Sequence, residues 1–198
     1  MIVGVTGGIG SGKSTVVNFF LELGNIAFYH ADIEAKNIIN SSVKVKTKIE
    51  AFFGKEAYKD NVLNRKYISN IVFHNPESLK QLNAIVHPEV KKHFKNFVNQ
   101  HKNKEYILYE NAILFETKSH HTCDFIISVY CDLKTRISRI KNRDNISENA
   151  ILDRINNQWK EDKKLLQSNY LITNFAQIET KNQVNHIHNI LTKKRKLI

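Results

Sequence analysis

The sequence predicts an α/β fold, in which helices flank a parallel five-stranded β-sheet and a helical region is inserted after the second strand. Three observations predict this fold. A strand, a glycine-rich loop, a helix and a second strand follow one another within about 30 residues, which is the βαβ unit of a parallel sheet. Residues 31–102 then show helical patterns without a clear strand. Short apolar runs return at 106–109, 125–130 and 170–173 and supply the remaining strands.

The first βαβ unit can be followed element by element. Residues 1–6 are a largely apolar run typical of a buried parallel strand. A helix from Ser14 carries its apolar residues at helical spacing, and Gly24 ends it. Residues 26–29 form the second strand. The apolar positions of the helix are Val16, Val17, Phe19, Phe20 and Leu23.

The stretch 31–102 is predicted to contain several helices. One covers 63–73, and another covers 76–86, beginning with a proline whose missing amide proton is tolerated in a first turn. His87 precedes Pro88 and is therefore pushed towards extended geometry. We expect a helix break at this step and a further helix from Pro88.

The C-terminal part of the chain alternates strands with helices. A basic helix at 133–143 and a polar helix at 147–165 are predicted between the last two strands, and an amphipathic helix at 177–191 follows them. Cys123 and Cys131 lie beside apolar runs, so both are expected to be small core residues.

Composition indicates an ordinary globular protein. Of 198 residues, 41% are hydrophobic and 25% are charged, and no apolar run approaches the ~20 residues of a membrane span. The formal net charge of +11 fits either a polyanion-binding protein or a lysine-rich surface around one anion site. The second interpretation is favoured, because the only dense basic cluster, 193–196, lies at the end of the chain. No signal peptide is visible, and a cytoplasmic location is expected.

Residues 7–14, Gly-Gly-Ile-Gly-Ser-Gly-Lys-Ser, match the P-loop pattern G-x-x-x-x-G-K-[ST]. Glycines let backbone N–H groups approach an anion closely, and the helix that follows directs its first N–H groups at that anion. The Lys13 ammonium suits β- and γ-phosphates, and the Ser14 hydroxyl suits Mg²⁺. This pattern predicts a nucleoside triphosphate site and says nothing about the acceptor.

Asp32 follows the second strand, at the edge of a parallel sheet where ligands bind. Its carboxylate could accept a proton from an attacking hydroxyl or hold Mg²⁺ through water. It could equally cap the next helix, and the spacing leaves both interpretations open. Glu110 and Glu116 bracket the end of the third strand, where P-loop proteins often hold Mg²⁺ through water, but the Asp expected there is missing.

Three arginines recur on the predicted helix 133–143, at Arg136, Arg139 and Arg143. Arginines presented together suit a transferring phosphoryl group. They could instead form a solvated face that pairs with Asp132 or Asp144, and the pattern alone favours this second interpretation.

Beyond the P-loop, short stretches throughout the chain match a known family. They are 6–15, 31–32, 63–65, 71–73, 82–88, 114–116, Arg139, 143–144, Gln158 and Asn174. Together they resemble dephospho-CoA kinase over nearly the whole chain. Small departures occur at His30, where the family often has Asp, at 112–113, and at 168–169 near the expected adenine pocket.

The resemblance implies a three-layer α/β/α P-loop NTPase fold. Residues 1–30, 103–135 and 166–198 would form the nucleotide-binding core, 31–102 the helical acceptor (CoA) region and 136–165 a lid. The implied reaction transfers the γ-phosphoryl group of ATP, with Mg²⁺, to the ribose 3′-hydroxyl of dephospho-CoA. The implied partner is therefore a small molecule, with no nucleic acid or membrane, and the protein would be a monomer or a weak homo-oligomer.

The resemblance also assigns residues to roles. Asp32, Lys13 and Arg139 would be catalytic, and Mg²⁺ would be held by Ser14 and, through water, by Asp32. ATP would be bound by Gly8, Gly10, Ser11, Gly12, Lys13, Ser14, Thr15, Arg143 and Asn174. The acceptor would be bound by Thr6, Asp32, Arg65 and His87.

Three other functions compete with this one. A P-loop kinase with a different small acceptor, such as a nucleoside monophosphate, would share the same loop. A regulatory nucleotide switch would need D-x-x-G and N-K-x-D elements, which the sequence lacks. A nucleic-acid-binding protein would show binding that weakens steeply with salt.

Overall fold

The computed structural model describes residues 1–196, the side chain of His74 apart. Its strands are β1 (Ile2–Thr6), β2 (Ala27–His30), β3 (Tyr58–Lys59), β4 (Val62–Leu63), β5 (Ile107–Glu110), β6 (Phe125–Tyr130) and β7 (Tyr170–Thr173). Its α-helices are α1 (Lys13–Leu21), α2 (Ala31–Ser41), α3 (Val43–Phe53), α4 (Arg65–His74), α5 (Pro76–Gln100), α6 (Leu133–Asp144), α7 (Glu148–Asn156), α8 (Glu161–Leu165) and α9 (Gln177–Arg195). None of these helices is long and apolar enough to cross a membrane.

The main sheet has the strand order β2-β5-β1-β6-β7, so β1 lies at its centre. Strand β1 runs parallel to β5 and β6, and β6 runs parallel to β7. In this register Val5 lies opposite Glu110, and Thr6 lies opposite Ser128. The loop after β1 and the end of β5 therefore share the carboxyl edge of the sheet. The predicted α/β fold with a parallel five-stranded sheet is confirmed.

Two compact units make up the chain. The first consists of residues 1–29 and the described residues from 101 onward, and the second is the contiguous stretch 30–100. In the first unit, one apolar cluster joins the sheet to α1 and α9. Its fully buried members include Val3, Val5, Val16, Val17, Phe20, Leu108, Ile127, Val129, Ile172, Val184 and Leu191.

The second unit has an apolar cluster of its own. Helices α2 to α5 supply most of it. Among the side chains that cap these helices, Ser42 accepts from the Val45 amide before α3, and Asn64 accepts from the Tyr67 amide before α4. The buried members are Ile38, Val45, Ile49, Phe53, Ala57, Ile68 and Val86. The predicted acceptor region, 31–102, covers nearly this unit, and its role stays a prediction. Of the predicted core segment 166–198, residues 197–198 lie outside the described residues.

The expectation that 31–102 lacks strands is wrong. Strands β3 and β4 pair antiparallel as a short hairpin. Its two turn residues, Asp60 and Asn61, have φ angles of 50° and 65°. Both central residues of a type I′ turn need a positive φ, and Asp and Asn adopt it more readily than most residues. The turn contains no glycine, so the usual sequence signal for a hairpin is absent.

The expected helix break at His87 is also wrong, because α5 continues through Pro88. An interior proline costs about 3 kcal/mol through a lost hydrogen bond and a steric clash. Burial of one large apolar side chain contributes ~1.5–3 kcal/mol, and α5 buries Val86 and Phe94 on either side of the proline. Continuous packing of one helix face therefore outweighs the local preference of proline.

The predicted polar helix 147–165 is two helices, α7 and α8, separated by residues 157–160. The backbone N–H of Trp159 donates to a Glu116 oxygen at 2.8 Å instead of to a helical carbonyl, so the helix is interrupted there. The basic cluster at the end of the chain is largely helical, because Lys193 to Arg195 complete α9.

Both cysteines are free thiols. Cys131 is buried, and Cys123 is half-buried with its pKa raised to about 12 by burial. Neither is disposed to ionise near neutral pH, which agrees with their predicted role as core residues.

Candidate active site

The loop between β1 and α1 depends on glycine at defined positions. Gly10 and Gly12 have φ angles of 83° and 89°, in the left-handed region that other residues avoid. Gly12 also caps the N-terminus of α1, and a Cβ atom added there would collide with the Asn174 side chain. An L-residue at position 12 would therefore distort both the backbone and the Asn174 contact.

Two hydroxyl groups at this loop are buried without a hydrogen-bond partner among the described residues. They belong to Thr6, at the end of β1, and to Ser11 within the loop. Leaving a buried polar group unsatisfied costs ~1–3 kcal/mol. A ligand rich in oxygen atoms would satisfy both groups, which fits the phosphate site that the loop pattern predicts.

The Lys13 side chain folds back over the loop. Its ammonium group donates to the carbonyl oxygens of Gly7 at 3.1 Å and Gly8 at 3.3 Å, and the residue is only 9% exposed. These contacts hold a positive charge against the loop backbone. Together with the N-terminus of α1, they make the loop electropositive.

Ser14, in the first turn of α1, meets a carboxylate from the neighbouring strand. Its hydroxyl donates to Glu110 Oε1 at 3.4 Å, and Glu110 is 4% exposed. Hydroxyl and carboxylate oxygens are ligands that Mg²⁺ prefers. Within residues 1–196 no group of three or more acidic, His or Cys side chains could hold a metal ion alone. The pair therefore suits an ion that takes its other ligands from water and phosphate.

The sequence marks Glu110 as one of two carboxylates near the end of the third strand but assigns it no role among the site residues. The sequence placed it after the third strand, whereas β5 includes it as its last residue. Because Val5 is its partner in the sheet, Glu110 lies beside the start of the loop. Its position after a buried apolar run was the available signal.

Two predicted nucleotide residues, Ser11 and Asn174, lie together with Arg139, which the resemblance assigns to catalysis. Arg139 donates to the carbonyl oxygens of Ser11 at 3.3 Å and Asn174 at 3.0 Å. The Asn174 amide donates to the same Ser11 carbonyl at 2.8 Å, and Thr180 donates to Asn174 at 3.1 Å. Helix α6 and the end of β7 are thereby joined to the loop.

Arg143 lies elsewhere on α6. It is exposed and binds the Asp144 carboxylate, with Nε 2.7 Å from Oδ1, while Arg154 binds the second oxygen at 2.8 Å. Hydrogen bonding from Arg143, and then from Arg154, holds the pKa of Asp144 below its usual range. This pairing matches the solvated-face interpretation, and the nucleotide role of Arg143 stays a prediction.

Arg136 is the buried arginine of the three, with 4% exposure. Its Nε donates to the Ile9 carbonyl at 2.9 Å, and its Nη1 lies 3.1 Å from Glu161 Oε1. The sequence showed the spacing of the three arginines but could not show which one faces the interior.

Asp32 does not cap α2. The imidazole of His30 does, by accepting from the Ile33 amide at 3.4 Å. Asp32 lies instead in the first turn, where a carboxylate interacts favourably with the helix dipole. The helix-cap interpretation of Asp32 is therefore wrong.

A pocket of about 270 Å³ lies within residues 30–100. It brings together Asp32 and Arg65, both predicted from the sequence, and adds Lys36, which the sequence analysis did not name. The lining residues are Asp32, Ala35, Lys36, Ile39, Asn40, Leu63 and Arg65. His87 is not among them and lies on an exposed part of α5.

The three charged side chains of this pocket form no ion pair or hydrogen bond with any residue of the described part of the chain. Asn40 is occupied, because its Oδ1 accepts from the Leu63 amide at 2.9 Å and joins α2 to the hairpin. Asp32 and Lys36 are four residues apart on α2, which puts their Cβ atoms about 5–6 Å apart on one face. The pocket thus presents one carboxylate and two cations to a ligand.

Comparison with known protein families gives one match over most of the chain. The model of the dephospho-CoA kinase family matches residues 1–180. A dephospho-CoA kinase of Gamma-proteobacterium EBAC31A08 is 36% identical over 191 residues, which cover 95% of each chain. A dephospho-CoA kinase of Bacteroides fragilis is 33% identical over 172 residues, covering 87% of this chain and 83% of the relative.

Solved structures show the same fold. A Thermus thermophilus protein superposes with a TM-score of 0.86 at 25% identity, covering 98% of this chain and 97% of its own. The dephospho-CoA kinase of Campylobacter jejuni superposes with a TM-score of 0.64 at 24% identity, covering 97% of both chains.

Proposed function

The chain belongs to the dephospho-CoA kinase family and is an ATP-dependent kinase, and from this we propose that Asp32 orients the 3′-hydroxyl of dephospho-CoA for transfer of the γ-phosphoryl group held at the P-loop. One observation carries the assignment of the acceptor site. The pocket within 30–100 presents the Asp32 carboxylate beside two cations, and none of the three is neutralised by another residue of the described chain.

At the nucleotide side, the backbone N–H groups of the loop and the start of α1 bind the phosphates. Lys13 places its charge on the β- and γ-phosphates, and Arg139 and Asn174 support the loop at Ser11. Ser14 would hold Mg²⁺, with Glu110 accepting from its hydroxyl or from a metal-bound water, and Asp32 would approach it through water. When bound, Mg²⁺ neutralises charge on the transferring phosphoryl group.

At the acceptor side, the chemistry of dephospho-CoA matches the charges of the pocket. Its ribose carries the reacting 3′-hydroxyl and, at the 5′ position, a diphosphate. Asp32 would accept a hydrogen bond from the hydroxyl, and Lys36 and Arg65 would bind diphosphate oxygens. His87 and Thr6 would contribute further acceptor contacts, as the resemblance implies.

Phosphoryl transfer demands positioning and charge stabilisation more than strong base catalysis. It is sufficient that Asp32 accepts a hydrogen bond from the hydroxyl, because the hydroxyl loses its proton late in a loose transition state. The developing charge is then shared between the loop N–H groups, Lys13 and Arg139. Residues 136–165 would exclude water from the transfer.

The acceptor is a small molecule, and we further propose a cytoplasmic enzyme that acts as a monomer or a weak homo-oligomer. The free thiols of Cys123 and Cys131 support the location.

An assay that couples ADP release to NADH oxidation tests the function directly. Dephospho-CoA is compared with a panel of nucleosides and nucleoside monophosphates, and the phosphorylated position of the product is read by NMR. We expect turnover with dephospho-CoA and a new phosphate on the 3′-oxygen. Preferred turnover of a nucleoside monophosphate would favour the alternative P-loop kinase and reject the proposed acceptor.

A Lys36→Met variant is expected to raise KM for dephospho-CoA by ~10- to 100-fold, the range that follows from one lost hydrogen bond to a charged group. Methionine keeps the length of the side chain and removes its charge. The KM for adenosine as a truncated acceptor should stay within about twofold, because adenosine has no diphosphate for Lys36 to bind.

The matched control is Lys66→Met, on an exposed residue of α4 outside the pocket. It removes the same charge from the same unit. An equal rise of KM in both variants would mean that the overall positive charge of the protein attracts the substrate, and would contradict a specific contact with Lys36.

A further inference from the structure

Each backbone N–H and C=O group of Gly8 and Ile9 in the P-loop forms a hydrogen bond with a side chain. Glu161 Oε2 accepts from the Gly8 amide at 3.4 Å, and Gln158 Oε1 accepts from the Ile9 amide at 2.8 Å. Arg136 Nε donates to the Ile9 carbonyl at 2.9 Å. The Gly8 carbonyl accepts from the Ser11 amide at 3.1 Å and from Lys13 at 3.3 Å.

The ion pair between Arg136 and Glu161 lies at the centre of these contacts. Its atoms are 3.1 Å apart, and the side chains are 5% and 16% exposed. Both lie so close to Gly8 that a Cβ atom at that position would collide with them. Removing one partner of a buried ion pair leaves the other charge buried and unpaired. Substitution of Arg136 or Glu161 alone is therefore expected to disturb the contacts around Gly8.

The segment that carries Gln158 and Glu161 also holds a second loop. We call residues 158–164 the bridging segment. The Trp159 amide donates to Glu116 at 2.8 Å, and the fully buried Lys164 lies 3.0 Å from Glu116. Lys164 also donates to the Ala112 carbonyl at 2.7 Å, and the Trp159 ring stacks on Phe115 at 6.1 Å.

The bridging segment therefore contacts two loops, and each loop leads into a different group of the candidate site. The first is the P-loop, which continues into Lys13 and Ser14. The second is the loop 111–116, which begins directly after Glu110, the carboxylate that meets Ser14. A shift of either loop would change the separation of the Ser14 hydroxyl and the Glu110 carboxylate.

We propose that Arg136 and Glu161 are positioning residues for the kinase reaction, which fix the conformation of the P-loop through the bridging segment. Neither is required to touch ATP. The inference rests on the proposed function only for its effect on turnover, because the shape of the loop governs ATP binding in the absence of any acceptor.

The test uses Arg136→Gln, Glu161→Gln and the double variant, each in the full chain. Each single variant is expected to weaken ATP binding, measured by calorimetry, by about tenfold or more and to lower kcat by a similar factor. The KM for dephospho-CoA should change by less than about twofold, since the acceptor pocket is unaltered. The double variant should regain most of the loss, because two amides can hydrogen-bond without an unpaired charge.

Trp159, the only tryptophan in the chain, supplies an independent signal. Its ring stacks on Phe115 and has the Lys163 ammonium 3.4 Å from its centre. In Glu161→Gln the bridging segment should loosen, so acrylamide should quench Trp159 fluorescence more strongly than in the unmodified protein. The control is Glu22→Gln, which breaks the surface ion pair with Lys181 and should change neither quenching nor ATP affinity.

Each outcome either supports or contradicts the positioning role of Arg136 and Glu161. Normal ATP affinity and kcat in both single variants would overturn the proposal, as would a lowered melting temperature without any kinetic change. Tighter ATP binding in Glu161→Gln would show that Glu161 competes with phosphate, which also contradicts a positioning role. If the single variants fail to fold, a double variant that folds yet stays as impaired in ATP binding as Lys13→Ala would reject it. The binding and quenching measurements need no acceptor, so they remain decisive if dephospho-CoA proves not to be the substrate.

Discussion

Replacement of Lys13 with alanine is expected to lower kcat by about 10²- to 10³-fold, the range seen when one preorganised donor to a developing charge is lost. The ammonium group is held by the Gly7 and Gly8 carbonyls, so it is placed at the loop before any phosphate arrives. We expect its charge to stabilise the γ-phosphoryl group in the transition state more than in the ground state. The variant also loses ground-state attraction for ATP, so KM for ATP should rise as well.

Steady-state kinetics with varied ATP measure both effects. Lys102→Ala is the matched control, because it removes the same charge from an exposed position. A Lys13→Ala enzyme that kept normal kcat with only a raised KM would assign Lys13 to binding and remove it from transition-state stabilisation. Circular dichroism of both variants checks that the fold is retained.

Asp32→Asn is expected to lower turnover by about 10²- to 10⁴-fold, the usual contribution of a positioned proton acceptor. Asparagine matches aspartate in size but cannot take up the proton of the acceptor hydroxyl. ATP binding should change by less than about twofold, because the P-loop amides and Lys13 would bind the phosphates directly, whereas Asp32 would approach Mg²⁺ only through water. The loss should therefore appear in kcat with dephospho-CoA.

Glu34→Gln provides the comparison for Asp32. Both acids lie in the first turn of α2, so each substitution removes one negative charge from the same helix terminus. Glu34 also lies 4.0 Å from His93 Nδ1, so activity and not melting temperature is compared: if Asp32 acted only through the helix dipole, the two variants would show similar activity. Turnover of Asp32→Asn equal to that of the unmodified protein would exclude Asp32 from the reaction.

The strands of the main sheet were predictable to within about one residue because each is a short, nearly continuous apolar run, as expected of strands covered on both faces. Strands β6 and β7 begin and end where the sequence placed them. Helix α1 was equally clear, since the glycine loop before it and its apolar spacing agree with one another.

The errors have a common physical origin in packing between distant residues. Pro88 stays within α5 because Val86 and Phe94 are buried together. The polar helix stops at 157–160 because the Trp159 amide finds a carboxylate 43 positions away. The conformational preference of a residue does not reveal partners that are distant in the sequence. The Asp60–Asn61 turn also lacks the glycine that usually marks a hairpin.

The candidate site was likewise predictable only where its residues belong to a contiguous sequence pattern. The sequence indicated Lys13 and Ser14 because the P-loop pattern is contiguous. It could not indicate that Arg136 is buried while Arg143 is exposed, since both belong to one stripe of the same helix. Lys36 was invisible for a similar reason, because its place beside Arg65 depends on how α2 packs near the start of α4.

The proposed acceptor pocket is lined entirely from one contiguous stretch, 30–100, which contains an apolar cluster of its own. Along the sequence, this stretch is bounded by residues 29 and 101. We expect substitutions that reshape this pocket to change the choice of acceptor alcohol while the P-loop sequence is inherited unchanged. Exchange of this cassette between homologous kinases is therefore a direct route to altered substrate choice.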